Sequence, residues 1–68
     1  MSEKKVNDIV NYRLDDDQYP FPLSGVIVEK HFSKLMKSVS YSVLRNNSDL
    51  IDYVSEFQLL DENGDPEM

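Results

Sequence analysis

The chain has 68 residues, with 13 acids against seven bases and a formal net charge of −6. It contains no Cys, no Trp and no Ala. That length excludes more than one small domain, and the missing Cys excludes a disulfide framework and a Cys-based zinc site. A single core of this size rarely supplies more than about 3–5 kcal/mol without a staple, so a homodimer or a tightly bound partner is expected.

Met1-Ser2-Glu3-Lys4-Lys5 runs into Val6-Asn7-Asp8 rather than into the apolar run of a signal peptide. The longest aliphatic run, Val26-Ile27-Val28, is far too short to cross a bilayer. With no Cys, these features fit a cytoplasmic protein that leaves the membrane alone.

Residues 3–14 are predicted as a short helix. Val6, Ile9, Val10 and Leu14 recur at helical spacing behind Ser2 as a cap. A strand across Ile9 to Leu14 is the rival reading. Asp15-Asp16-Asp17 ends this element, and Gln18-Tyr19-Pro20-Phe21-Pro22 forms an extended connector that its two prolines keep out of a helix.

Residues 24–45 carry the strongest periodic signal. Val28, Phe32, Leu35, Met36, Val39 and Val43 fall within about 100° of one helical face. Lys30, Lys34, Lys37, Tyr41 and Arg45 fall opposite them. The alternation Ser38-Val39-Ser40-Tyr41-Ser42-Val43 would by itself indicate a strand, but the segregation of the two faces favours a helix.

A turn at Arg45-Asn46-Asn47 and a cap at Ser48 introduce a third helix over 49–60, buried through Leu50, Ile51, Val54, Phe57 and Leu60. Residues 61–68 read as a frayed acidic tail, with Asn63-Gly64 and Asp65-Pro66 as turn and stop. The expected fold is therefore mainly α: one domain over 1–60 with two or three helices, dimeric. If the N-terminal segment is a strand, the class becomes α+β.

Little in the chain points to catalysis. His31 is the one histidine, and no nucleophile elbow or triad signature accompanies it. Gly25 and Gly64, the two glycines, form no phosphate-cradling loop. Asp61, Asn63 and Asp65 alternate like the first ligands of a calcium loop, but Gly64 stands fourth and Pro66 sixth, where that loop needs its glycine. The expectation is a protein that is not an enzyme and binds neither metal nor cofactor.

Charge is segmented. Residues 18–45 hold one acid and four bases, whereas residues 46–68 hold seven acids and no base. An acidic third of this kind repels nucleic acid and anionic membrane and attracts a basic partner. The absence of Ala suggests AT-rich coding, as in low-GC bacteria and their phages, among which small acidic inhibitors of host DNA-binding proteins recur. The expected function is thus a phage-type, non-enzymatic inhibitor that mimics DNA charge in host takeover. Its partner would be a basic DNA-binding protein such as a nucleoid protein. Asp15, Asp16, Asp17, Asp49, Asp52, Glu56, Asp61, Glu62 and Asp65 would supply the acidic surface. Two alternatives stand beside it. One is an adaptor or regulatory subunit that binds through an apolar patch such as Tyr19, Phe21, Val26 and Ile27. The other is a small dimeric DNA-binding regulator using Lys30, Lys34, Lys37 and Arg45, although direct nucleic-acid binding is not favoured at a pI near 4.4.

Overall fold

A computed structural model of the chain describes residues 4–15 and 17–65. It overturns both the mainly α expectation and its α+β alternative: 49 % of it is strand, and no α-helix occurs among the described residues. Five strands, β1 (Ile9–Tyr12), β2 (Leu23–Ser33), β3 (Ser38–Arg45), β4 (Ile51–Ser55) and β5 (Leu59–Leu60), build one antiparallel sheet in the order β4-β3-β2-β1-β5. The sequence expected as three helices supplies β1, the β2–β3 hairpin, and β4 with β5. The possible cap at Ser2 and the stop at Pro66 lie outside the described residues.

The physical reason lies in residue type. Residues 24–45 are dominated by Val, Ile, Phe, Tyr and Ser, with Gly25 near their start. Branched and aromatic side chains lose rotamer freedom in a helix and pack well on a pleated surface. The alternation at 38–43 is realised. Tyr41 and Val43 are buried and Val39 is half-buried on the inner face, while Ser38, Ser40 and Ser42 occupy the other.

The apparent helical period has two sources. A β-bulge at Val28 shifts the register, so that Ile27 pairs with Val43 but Glu29 pairs with Ser42. The inner face of β2 therefore steps from Ile27 to Lys30, three residues rather than two, which interrupts the strand alternation and leaves the helical spacing unopposed there. Reading on through the Lys34–Lys37 turn then adds Leu35 and Met36 to a face they never share. Val28, Phe32, Leu35 and Met36, expected as core, are exposed, as are Leu50, Ile51 and Phe57.

The turn itself carries no glycine, proline or asparagine. Lys37 adopts the left-handed conformation at φ 51°, and Met36 N donates to Ser33 Oγ at 3.2 Å. Such a φ is costly for a residue with a Cβ. Replacing Lys37 with Asn, which tolerates this conformation, is expected to stabilise the domain by about 0.5–1 kcal/mol in thermal denaturation.

The sheet has to curl. Strands β4 and β5 stand at opposite edges yet are joined only by a single 3-10 turn, Glu56–Gln58. A flat five-stranded sheet separates its edges by about 19 Å, whereas the four steps from Ser55 to Leu59 reach at most about 14 Å. The sheet therefore closes toward a half-barrel. Gln58 holds this closure: its Oε1 accepts from Ser55 N at 2.9 Å, and its Nε2 donates to Arg13 O at 2.9 Å. Within the curl lies the core, formed by Val10, Tyr12, Ile27, Tyr41, Val43, Val54 and Leu59.

Candidate functional site

Three features distinguish this barrel: a polar network on its inner face, an aliphatic row on its outer face, and the tip of the β2–β3 hairpin.

The inner network follows from register. Val43 pairs with Asp52, so Arg45, two residues along β3 and on the same face, is its diagonal neighbour. Arg45 grips the carboxylate with both arms: Nε donates to Oδ2 at 2.9 Å and Nη2 to Oδ1 at 2.8 Å. From β1, the hydroxyl of fully buried Tyr12 donates to the same Oδ2 at 2.6 Å. The guanidinium also lies 4.5 Å from the centroid of the Tyr19 ring, and Tyr19 meets Phe21 edge-on at 6.3 Å. Tyr19 thus ties the Pro20–Pro22 connector to the clamp.

The hydrogen bonds from Arg45 hold the Asp52 carboxyl below the usual carboxylate range; burial opposes them, and the Tyr12 hydroxyl adds to them. Burial, with the neighbouring Asp52, pushes the Tyr12 phenol well above its ordinary value. Among the described residues no buried side-chain nitrogen or oxygen lacks a hydrogen-bond partner, which suits a structural clamp here. Beside it, the 13–20 loop frames an open hollow of about 470 Å³ lined by Arg13, Leu14, Asp15, Asp17, Tyr19 and Pro20.

The sequence-predicted acids do not form a single stripe. Asp52 is committed to Arg45 and Tyr12 on the inner face. Asp61 folds its own turn, accepting from Asn63 N and Asp65 N at 2.9 Å each. Glu56 sits in the 3-10 turn, and Glu62 and Asp65 are exposed beyond β5. Asp15, Asp17 and Asp49 are exposed in loops at the end of the barrel where Asn46 N bonds to Ser24 O. Asp16 lies outside the described residues. The bases are dispersed as well. Arg45 is in the clamp, Lys30 pairs with Tyr41 and is exposed, and Lys34 and Lys37 stand at the hairpin tip.

On the outer face, Ser42 Oγ lies 3.0 Å from His31 Nε2, and Glu29 Oε2 lies 3.9 Å from the same nitrogen. A triad needs the carboxylate on the other ring nitrogen, to fix the tautomer while the base engages the hydroxyl. Ser42 is also buried, so this trio offers a substrate no accessible nucleophile. Among the described residues, no group of three or more His, Asp or Glu is placed to hold a metal ion. Nor is any helix long and apolar enough to cross a membrane.

The outer face also carries what sequence reading missed. Ile9 pairs with Val26, Val26 with Leu44, and Leu44 with Ile51. Four adjacent strands thus align one aliphatic side chain each in an unbroken row about 14 Å long at ordinary strand spacing. Ile9 is 78 % exposed, Ile51 39 % and Leu44 37 %, and exposed Tyr53 stands next along β4. Of the apolar residues considered from sequence, Val26 belongs to this row, Ile27 is fully buried beneath it, and Tyr19 and Phe21 sit on the connector. Only the strand register reveals the row, because its members lie 7 to 18 residues apart in the chain. Comparison with family models, with curated proteins and with solved structures finds no match to this chain.

Proposed function

We propose that the domain is a non-enzymatic, cytoplasmic protein-binding module and that the outer row Ile9–Val26–Leu44–Ile51 is its contact face. The observation that carries this reading is the cross-strand alignment of the four aliphatics on a face that also bears Ser40, Ser42, Asn11 and Ser24. An antiparallel sheet with one solvated face normally presents polar residues there, and a contiguous apolar patch marks a site of association. The partner is a protein with a complementary apolar surface; a second copy of this chain is the rival occupant.

The test is capture from a nuclease-treated lysate by the wild-type chain and by the charge-neutral double variant Ile9→Gln, Ile51→Gln. A partner held by the wild type in high salt and lost from the variant, with thermal stability preserved, is the expected result. Capture unchanged by the double variant sinks this face as the contact site. Sedimentation velocity of the two chains alone identifies the case in which the row joins two copies.

A second reading, mimicry of DNA charge toward a basic protein, keeps one support: Asp15, Asp17 and Asp49 are exposed at the same end of the barrel. Its binding would vanish in high salt and with Asp15→Asn, Asp17→Asn and Asp49→Asn combined.

A further inference from the structure

The β2–β3 hairpin ends in a tip unlike the rest of the surface. Its last paired residues are Ser33 and Ser38, and the four between them, Lys34, Leu35, Met36 and Lys37, form the turn. Leu35 is 94 % exposed and Met36 74 %, with Phe32 62 % exposed one residue behind the last pair. No carboxylate occurs between Glu29 and Asp49, whereas Lys34 and Lys37 flank Met36 and Leu35, the latter the most exposed of the large apolar side chains. We propose that this tip is an anchor for an anionic lipid surface, with Leu35 and Met36 entering the acyl boundary and the two lysines meeting the headgroups.

Three observations favour lipid over other anions. The apolar side chains are stepped, Leu35 and Met36 foremost and Phe32 behind, which suits graded immersion in a bilayer interface. A single base step of duplex DNA would accept only one such wedge. The cations sit beside the apolar pair in the turn, where anionic headgroups would lie once that pair is immersed. The excess of acid elsewhere does not forbid the approach. From Ser38 to the Arg45 end of β3 is about 23 Å at strand rise, beyond which Asp49 lies, and charge is screened over about 8 Å at physiological salt. The nearest carboxylates along the hairpin and its neighbour β4 are Glu29, opposite Ser42, and Glu56, which follows the partner of Ser40. Both stand behind the tip rather than at it.

The proposal is independent of the outer row, which lies farther down the sheet. It is tested by co-sedimentation of the full chain with vesicles of equimolar phosphatidylglycerol and phosphatidylcholine, and with phosphatidylcholine alone. Because the chain has no Cys, a Leu35→Cys variant carrying an environment-sensitive fluorophore reports immersion directly. The expected result is binding to the anionic vesicles with a blue shift of the probe, and at least about ten-fold weaker partition for Leu35→Asp combined with Met36→Asp. Lys34→Gln with Lys37→Gln should also weaken it, and Ile9→Gln with Ile51→Gln should not. No binding to anionic vesicles overturns the proposal. So does equal binding to both vesicle types, or binding that the Asp variants leave unchanged. A gel shift of duplex DNA abolished by the lysine variants, without vesicle binding, would assign the tip to nucleic acid instead.

Discussion

Gly25→Ala is expected to leave the domain largely unfolded. Gly25 lies in β2 opposite Arg45 of β3 and Val10 of β1, where the curled sheet draws its strands together. A Cβ built there would stand 2.4 Å from Leu44 O and 2.6 Å from Val43 Cγ1. The first atom is backbone and cannot rotate away; the second belongs to a fully buried side chain. Relief requires β2 and β3 to part, which breaks ladder hydrogen bonds and opens the core around Ile27 and Val43. Overpacking of this kind costs about 3 kcal/mol or more, comparable with the whole stability of a domain this small. Gly64→Ala is the contrasting case. Its Cβ would meet nothing within 4 Å, and only the strain of φ +84° remains, about 1 kcal/mol. Urea denaturation followed by circular dichroism separates the two. Equal stability of the two variants would show that β2 and β3 do not approach as closely as described.

Asp52→Asn carries the second large effect. The substitution keeps the shape of the side chain but removes the charge that receives both arms of Arg45 and the Tyr12 hydroxyl. Tyr12→Phe removes one of these hydrogen bonds, made to a charged acceptor, and should cost about 1–2 kcal/mol, or roughly 5–10 °C in melting temperature. Asp52→Asn disturbs three and should lower the melting temperature further.

The pH dependence identifies the cause. Asp52 titrates lower in the folded chain than in the unfolded one. Its contribution is complete above the unfolded carboxyl value of about 4 and is lost as pH falls through the lower folded value. The gap between wild type and Asp52→Asn should therefore be constant near neutrality and narrow as the pH drops below about 4. Tyr12 has the opposite sign of limit. Its phenol is raised in the fold, so its contribution is complete below the unfolded value of about 10 and declines at higher pH. A gap that stays constant into acid would remove Asp52 from the clamp.

Part of this architecture was legible in the residues. The alternation at 38–43 is that of β3, the strand reading of Ile9 onward captures β1, and Asn46-Asn47 is the β3–β4 turn, with Asn47 at φ 59°. Two local events hid the rest. The bulge at Val28 broke the two-residue period of β2, and a left-handed Lys37 closed the hairpin without the usual turn residues. The sites depend on register, which sequence alone does not carry. Asp52 looked like a surface acid because its partners, Arg45 and Tyr12, lie 7 and 40 residues away. Ile9 and Ile51 looked like separate core positions, and Leu44 fell on neither helical face, until strand pairing set them on one row of the outer face.

The central claim is that association runs through the outer aliphatic row rather than through exposed carboxylates. The direct measurement is the affinity of a captured partner for three chains at low and high salt: wild type, Ile9→Gln with Ile51→Gln, and Asp15→Asn with Asp17→Asn and Asp49→Asn. The row predicts a dissociation constant that changes little with salt, rises at least about ten-fold in the first variant and is nearly unmoved in the second. An affinity that collapses in high salt, survives loss of the two isoleucines and falls with the three aspartates would contradict it and return the binding surface to the acidic end of the barrel.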